Sequence, residues 1–324
     1  MTAILECRHL SKSYGRLRAV QDFTITVEAG EILGFVGPNG AGKSTALKMI
    51  ATILKPSSGD ALVCGYSIRS DPQEVRRRIG YMPDVCGLYE ALTVVEYLSF
   101  FASVYKIYGE AREKIVKEVL EITGLESKSA SRCGALSRGM SQRLHLARVL
   151  IHDPALLLLD EPASGLDPRA RVELRELLTT LKEMGKSIII SSHILSELGE
   201  MCDTVAMIET SKLVYVGHVD DVASGAVHEG RAYRLKLSAS DPTQDVQAPS
   251  RADLIELLKG IRGVDGVREG EDEQTLLLRL LPREARPHDI LKSLLDRGFP
   301  VEEFASERLG LEDAFLHLTT GKVQ

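Results

Sequence analysis

"GPNGAGKST", Gly37 to Thr45, is the stretch on which the fold turns. It has the spacing G-x-x-x-x-G-K-[ST]. Strand-like alternation in "AVQDFTITVEAGEILGFVG" leads into it, and apolar residues at helical spacing follow from Lys43 to Leu54. Strand, glycine-rich turn and helix is the context in which this spacing holds phosphate. Gly37, Gly40 and Gly42, with Pro38, Asn39 and Ala41 between them, let the loop amides curl toward an anion, and the helix starting at Lys43 adds the positive end of its dipole. Lys43 is placed to reach β/γ-phosphates and Ser44 to ligate Mg²⁺, with Thr45 beside it.

Downstream, "ALLLLDEP" reads as a buried strand ending in two acids. A carboxylate at the C-terminal end of a parallel strand beside a phosphate loop is where a Mg²⁺ ligand belongs, so Asp160 is expected on the metal. Glu161 then stands where a general base polarises water. "SIIISSH" supplies another apolar strand, ending in His193. A lone histidine is usually a packing residue, but strand ends on this side face the nucleotide, and a γ-phosphate contact is expected. Tyr14 in "SKSYGRLRAV" precedes a strand and either stacks on a base or simply packs. "CGALSRGMSQRLHLARVL", Cys133 to Leu150, carries a small, polar and cationic run straight into helical spacing. Its helix start resembles a phosphate site that lacks a lysine and a metal ligand.

The chain has 324 residues, enough for one large and one smaller domain. With 44% hydrophobic and 27% charged residues it has the composition of a globular protein. A net charge of -6 and the lack of a dense basic stripe argue against a general nucleic-acid binder. Five scattered cysteines without a CxxC pair point away from a zinc site or disulfide framework and toward a reducing compartment. No run approaches the roughly 18 apolar residues of a membrane span.

Short apolar strands separated by helices imply a parallel sheet covered on both faces. A helix-rich middle contains "TVVEYLSFFASVYKI" and "EKIVKEVLEITG", whose apolar and aromatic stripe is either core or a docking surface. The texture changes around Gly217 to Gly230, giving domains at 1–220 and 228–324. The second reads as "RAYRLKL", "RADLIELLKG", "VDGVREG", "QTLLLRLL", "PHDILKSLLDRG" and "PVEEFAS", a βαββαβ order of the ferredoxin-like kind. "SASDPTQDVQAPS" reads as a loop, and "GLEDAFLHLTTG" as a terminal amphipathic helix.

Taken in order, "SYG", "GPNGAGKST", "YMPD", "LSRGMSQR", "LLLLDEP", "SGLD" and "SSH" resemble the A-loop, Walker A, Q-loop, signature, Walker B, D-loop and H-loop of ATP-binding cassette (ABC) transporter subunits, over about residues 4 to 217. The variant signature and "LEDAFLHLTTG" resemble single-cassette exporters of the drug-resistance and sodium-export type. The resemblance implies an α/β P-loop cassette with a parallel sheet core, an antiparallel β subdomain and a helical subdomain. It further implies ATP and Mg²⁺ as ligands, with Tyr14 against adenine and the metal on Ser44, Asp84 and Asp160. Glu161 would be the base, with Lys43 and His193 on phosphate. Ser137 and Gly139 would cap the nucleotide of a second copy, and Asp167 would close the D-loop. A homodimer on the cytoplasmic face of the membrane, bound to a separate permease, follows by the same resemblance.

Two positions depart from the pattern. Asp84 stands where the family usually has glutamine; a carboxylate still serves a hard cation, so a similar sensing role is expected. Arg138 and Met140 stand where LSGGQ has glycine and glutamine. Ser137 caps a helix and can donate to phosphate, and the Gly139 amide allows close approach. Arg138 either adds charge toward phosphate or points to solvent or to an acid of its own chain. The competing class is a soluble ABC-type ATPase that remodels a nucleic-acid or protein complex. A single P-loop, no long coiled-coil heptads and no basic patch count against it. The C-terminal domain is regulatory, dimer-stabilising or a bystander.

Overall fold

Strands buried at every position, as opposed to strands that alternate, mark the centre of this molecule. The computed structural model describes residues 3–194, 198–199, 201–223, 231–238, 251–270, 272, 274–281 and 284–307. Two units result, one within Met1–His218 and one within Val219–His317.

The first unit begins with β1 (Ala3–Tyr14), β2 (Leu17–Glu28) and β3 (Ile32–Val36), followed by α1 (Lys43–Ile50). Then come β4 (Ser58–Val63), β5 (Tyr66–Ser67), α2 (Pro72–Arg78) and β6 (Ile79–Met82). The helical stretch holds α3 (Val94–Val104), α4 (Gly109–Thr123) and α5 (Arg138–Leu150). The unit is completed by β7 (Leu156–Asp160), α6 (Pro168–Glu183), β8 (Ser187–Ser192), β9 (Thr204–Glu209) and β10 (Lys212–His218).

Its central sheet has the order β10-β9-β3-β8-β7-β6. Neighbours from β9 to β6 run parallel, and β10 is added antiparallel at the edge. Every residue of β3, β7 and β8 is buried, which is why these segments read as unbroken apolar runs; β10 alternates exposed and half-buried, as an edge strand does. A second, antiparallel sheet of order β2-β1-β4-β5 shares a core with α1. The expected cassette architecture is therefore present.

Local chemistry sets the helix ends. α3 opens on a capping box, Thr93 accepting from the Glu96 amide while the Glu96 carboxylate accepts from the Thr93 amide at 2.8 Å. α4 stops at Gly124, whose φ of 62° gives the left-handed cap. α1 ends at Ile50 and not at Leu54: Thr52 turns left-handed at φ 59°, and the Ile53 and Leu54 amides both fold back onto the Lys48 carbonyl. Leu54 keeps its apolar contact with the core without being helical, so periodicity overran the true end.

The second unit contains the short α7 (Val219–Ala223), then β11 (Arg231–Leu237), α8 (Arg251–Gly260), β12 (Val264–Glu269), β13 (Thr275–Leu280), α9 (Pro287–Asp296) and β14 (Val301–Glu307). Its antiparallel sheet has the order β12-β13-β11-β14. Leu235, Leu276, Leu278 and Leu280 from the strands meet Leu254, Leu258, Ile290 and Leu294 from the helices in one core. The segment expected to form a terminal helix, and all of the expected loop except Ser238, lie outside the described residues.

Candidate functional site

Sheet register assembles the site. Val36 pairs with Ser192, Asp160 with Ser191, and Met82 with Leu159, so four parallel strands end level with one another. The residues that follow those ends are Gly37, His193, Glu161 and Pro83 with Asp84. Ligand sites of open parallel sheets form at such carboxyl ends.

The loop after β3 is built by backbone that side chains would obstruct. A Cβ on Gly37 would lie 2.3 Å from the Ile208 carbonyl oxygen, and one on Gly42 2.3 Å from that of Ala19. Gly40 and Gly42 have φ of 83° and 111°, and Gly40 faces open space. The Ala41 amide turns back to the Pro38 carbonyl, with Asn39 between them at the tip. No side chain caps α1, so its first amides are left to whatever anion occupies the loop.

Lys43 is buried, its Nζ donating to the Gly37 carbonyl at 2.6 Å. Ser44 Oγ donates to Asp160 Oδ1 at 3.0 Å, and Ser191 Oγ donates to the same oxygen at 2.7 Å. Asp160 is only 2% exposed. Ser191 also accepts from the Glu161 amide at 3.0 Å, so one hydroxyl fixes both acids. Sequence reading overlooked Ser191; its one signal is a fully buried polar residue directly after the run Ile188–Ile190. Thr45 lies half-buried in the first turn of α1.

Glu161 adopts a left-handed φ of 50°, which a glutamate holds only when its surroundings enforce it. Its Oε2 lies 2.8 Å from His193 Nδ1. Its Oε1 is 3.3 Å from Lys43 Nζ, an ion pair by distance, yet this buried oxygen receives no hydrogen bond of good direction. Asp84 is held toward its neutral form, first by burial and then by the charges of Asp160 and Glu161; Arg138 and His193 pull it the other way. Burial and then the Asp160 charge likewise push the Tyr81 phenol up.

Three of the expected residues stand elsewhere. Ser137, Gly139 and Asp167 line an open cleft of about 420 Å³ with Arg138, Arg143 and Glu173. Ser137 caps α5 by accepting from the Met140 amide at 3.3 Å, and Asp167 caps α6 by accepting from the Ala170 amide at 2.9 Å. Gly139 also serves packing, because a Cβ there would sit 3.0 Å from that of Ala170. Arg138 is exposed; its Nη2 donates to the Ser164 carbonyl at 2.9 Å, and its charge reaches Asp84 of its own chain. Tyr14 closes the β1–β2 hairpin against Leu17, half exposed, with Lys12 Nζ 5.2 Å from its ring centre.

A phosphate loop between a buried strand and an uncapped helix, with an acid pair at the end of the next strand but one, defines a nucleotide-binding P-loop cassette. The family profile described as "ABC transporter" matches residues 20–164, and one for an AAA domain (putative AbiEii toxin, type IV TA system) matches residues 133–199. The chain is 34% identical to the bacitracin transport ATP-binding protein BcrA of Bacillus licheniformis and 38% identical to the Nod factor export ATP-binding protein I of Burkholderia orbicola. Each alignment covers 99% of both chains. Among solved structures, the dimeric ATP-binding cassette MJ0796 with ADP and Pi matches 66% of this chain and 98% of its own at a TM-score of 0.60 and 25% identity. The chain belongs to the ATP-binding proteins of ABC transporters, and is accordingly an ATP-hydrolysing cassette.

Proposed function

We propose that two copies of this chain close on two ATP molecules, and that the cycle of closure and reopening drives export through a separate membrane permease. One observation carries the reading: Lys43, Ser44, Asp160, Glu161 and His193 converge on the phosphate loop, while Ser137 and Gly139 open into a cleft of their own. A site that needs both sets is complete only when a second copy supplies the second. The dimeric cassette among the similar structures supports this, and the printed roles of the two full-length relatives, bacitracin transport and Nod factor export, support export.

The donor set fits Mg²⁺. A buried carboxylate with two hydroxyls on one oxygen offers hard oxygen ligands, and no cluster of three or more His, Cys, Asp or Glu side chains suited to a metal occurs among the described residues. An ion held by few protein oxygens and completed by substrate phosphates and water matches the habits of Mg²⁺. Ser44 and Asp160 would hold it, with Asp84 close enough in charge to sense its presence. Once there, the ion would neutralise charge on the β/γ-phosphate oxygens.

Lys43 rests on its own loop carbonyl and beside Glu161, so arriving phosphate gives it a stronger acceptor and frees the carboxylate. Glu161 then accepts the proton of the attacking water while His193 orients it through Oε2. Tyr14 offers a half-exposed ring for the base. Contacts between phosphate and the partner's α5 exist only in the closed form, which is what shifts the population toward closure.

Among the described residues no helix is long and apolar enough to cross a membrane. Tyr89, Phe100, Val104 and Tyr105 are exposed apolar side chains before, on and just after α3, and Tyr89 meets Phe100 edge-on at 5.7 Å. This face suits a cytoplasmic segment of a permease, placing the chain at the cytoplasmic side of the membrane. The catalytic reading is tested by Glu161→Gln, which should bind ATP as wild type does and lose about 10²-fold or more in turnover. Unchanged turnover removes Glu161 from the role of base.

A further inference from the structure

The geometry points to Cys86 as a site of oxidation by hydroperoxide, where a sulfenic acid forms and is held between the Arg148 guanidinium and the Tyr97 hydroxyl. Neither a second copy nor a nucleotide takes part in it.

Cys86 lies two residues beyond Asp84, partly exposed between the exposed Val85 and Gly87. Two side chains one turn apart on α5 hold it. The His145 ring donates to its backbone carbonyl, and Arg148 Nη1 donates to its Sγ at 3.0 Å. A partly exposed thiol beside an arginine is the setting in which cysteines react. The other four are placed differently: burial pushes the Cys7, Cys64, Cys133 and Cys202 thiols up.

Tyr97, on α3, is fully buried, and its Oη has no hydrogen bond of good geometry. Buried hydroxyls are nearly always partnered, so this one marks a place where an acceptor is lacking. Burial pushes its phenol up to about 12, Arg148 pulls it back and Cys86 adds to the push, so the oxygen faces both groups. Packing fixes that aim: the Tyr97 ring lies 4.9 Å from that of Phe101, and the Arg148 guanidinium lies over the Phe101 ring at 5.3 Å. A thiol sulfur is a weak acceptor. An oxygen bonded to it gives the phenol the partner it lacks and gives Arg148 a stronger one.

The step balances with the peroxide alone. The thiol proton passes to solvent, and sulfur attacks the distal peroxide oxygen. An S–O bond forms as the O–O bond breaks, sulfur gives up two electrons, and the departing hydroxide takes a proton to leave as water. The sulfenic acid condenses with a further thiol to a disulfide and water, so the change is reversible.

The full chain, fully reduced and then freed of reductant, is treated with hydrogen peroxide in the presence of dimedone, which traps sulfenic acid, and each cysteine peptide is followed by mass. Cys86 should be labelled at least about tenfold faster than Cys64 or Cys202, the other two partly exposed thiols. Dimedone added only after the peroxide has been removed reads the lifetime of the product. Tyr97→Phe, which keeps the ring, should shorten that lifetime about fivefold. Arg148→Met should shorten it about tenfold, with part recovered in Arg148→Lys. Because the Tyr97 hydroxyl is unpartnered in the reduced protein, Tyr97→Phe should melt no lower than wild type. Equal labelling of the three partly exposed cysteines, or an unchanged lifetime in both Tyr97→Phe and Arg148→Met, overturns the site.

Discussion

Ser191 has no exposed surface and lies between Phe35 and Asp160 of the neighbouring strands, so its hydroxyl must be satisfied by the protein. It is satisfied twice, giving a proton to Asp160 and accepting one from the Glu161 amide. Ser191→Ala strips a donor from a buried carboxylate and orphans a backbone N–H, which costs about 1–3 kcal/mol. The expected result is a lower melting temperature together with a kcat reduced about tenfold or more, since 1.4 kcal/mol at the transition state is a factor of ten. Steady-state kinetics and a thermal melt check this; an unchanged kcat would mean that Ser191 only packs. Asp160, Glu161 and His193 could be read from sequence because each stands at the end of an apolar strand, and Lys43 because it falls in the G-x-x-x-x-G-K-[ST] spacing. Ser191 could not, because its importance comes from pairing with Asp160 across two strands separated by about 30 residues of chain.

At the scale of elements, the fully buried strands were legible because burial on both faces leaves unbroken apolar runs, Leu156–Leu159 in β7 and Ile188–Ile190 in β8, with polar residues only at the strand ends. The end of α1 was not legible, because Leu54 stays apolar for packing after Thr52 has broken the helix. α5 hides a second feature of this kind. His145 lies on its buried face, 5% exposed, with Nδ1 unpartnered. Burial, and then the charge of Arg148, push its pKa down to about 4, and a hydrogen bond from the ring to the Cys86 backbone carbonyl only partly offsets this. The unfolded chain therefore binds the proton more readily than the folded one. The stability is present in full above the unfolded value near 6.5 and is lost as pH falls toward 4. At pH 5 the loss is about 2 kcal/mol. Melting temperatures from pH 7.5 to 5 should drop for wild type, and His145→Gln should flatten the curve; parallel curves would show that other groups govern the acid limb.

For the molecule as a whole, the ordered motifs identified the cassette, and level strand ends explain why residues as distant as Gly37 and His193 meet. Sequence alone did not show that Ser137, Gly139 and Asp167 gather in a cleft apart from the phosphate loop, since that depends on how α5 and α6 pack through Gly139 and Ala170. Nor did it find the partner of Arg138, a backbone carbonyl that any residue could have supplied. That separation is the physical basis of the central claim, that one copy completes the site of another. Its most direct measurement is the mass of the Glu161→Gln chain with ATP, with and without Ser137→Arg, by sizing chromatography and light scattering. Glu161→Gln should run as a dimer, and the double variant should stay monomeric while binding ATP with unchanged affinity. A dimer in both, or ATP binding lost with Ser137→Arg, would contradict capping by a second copy.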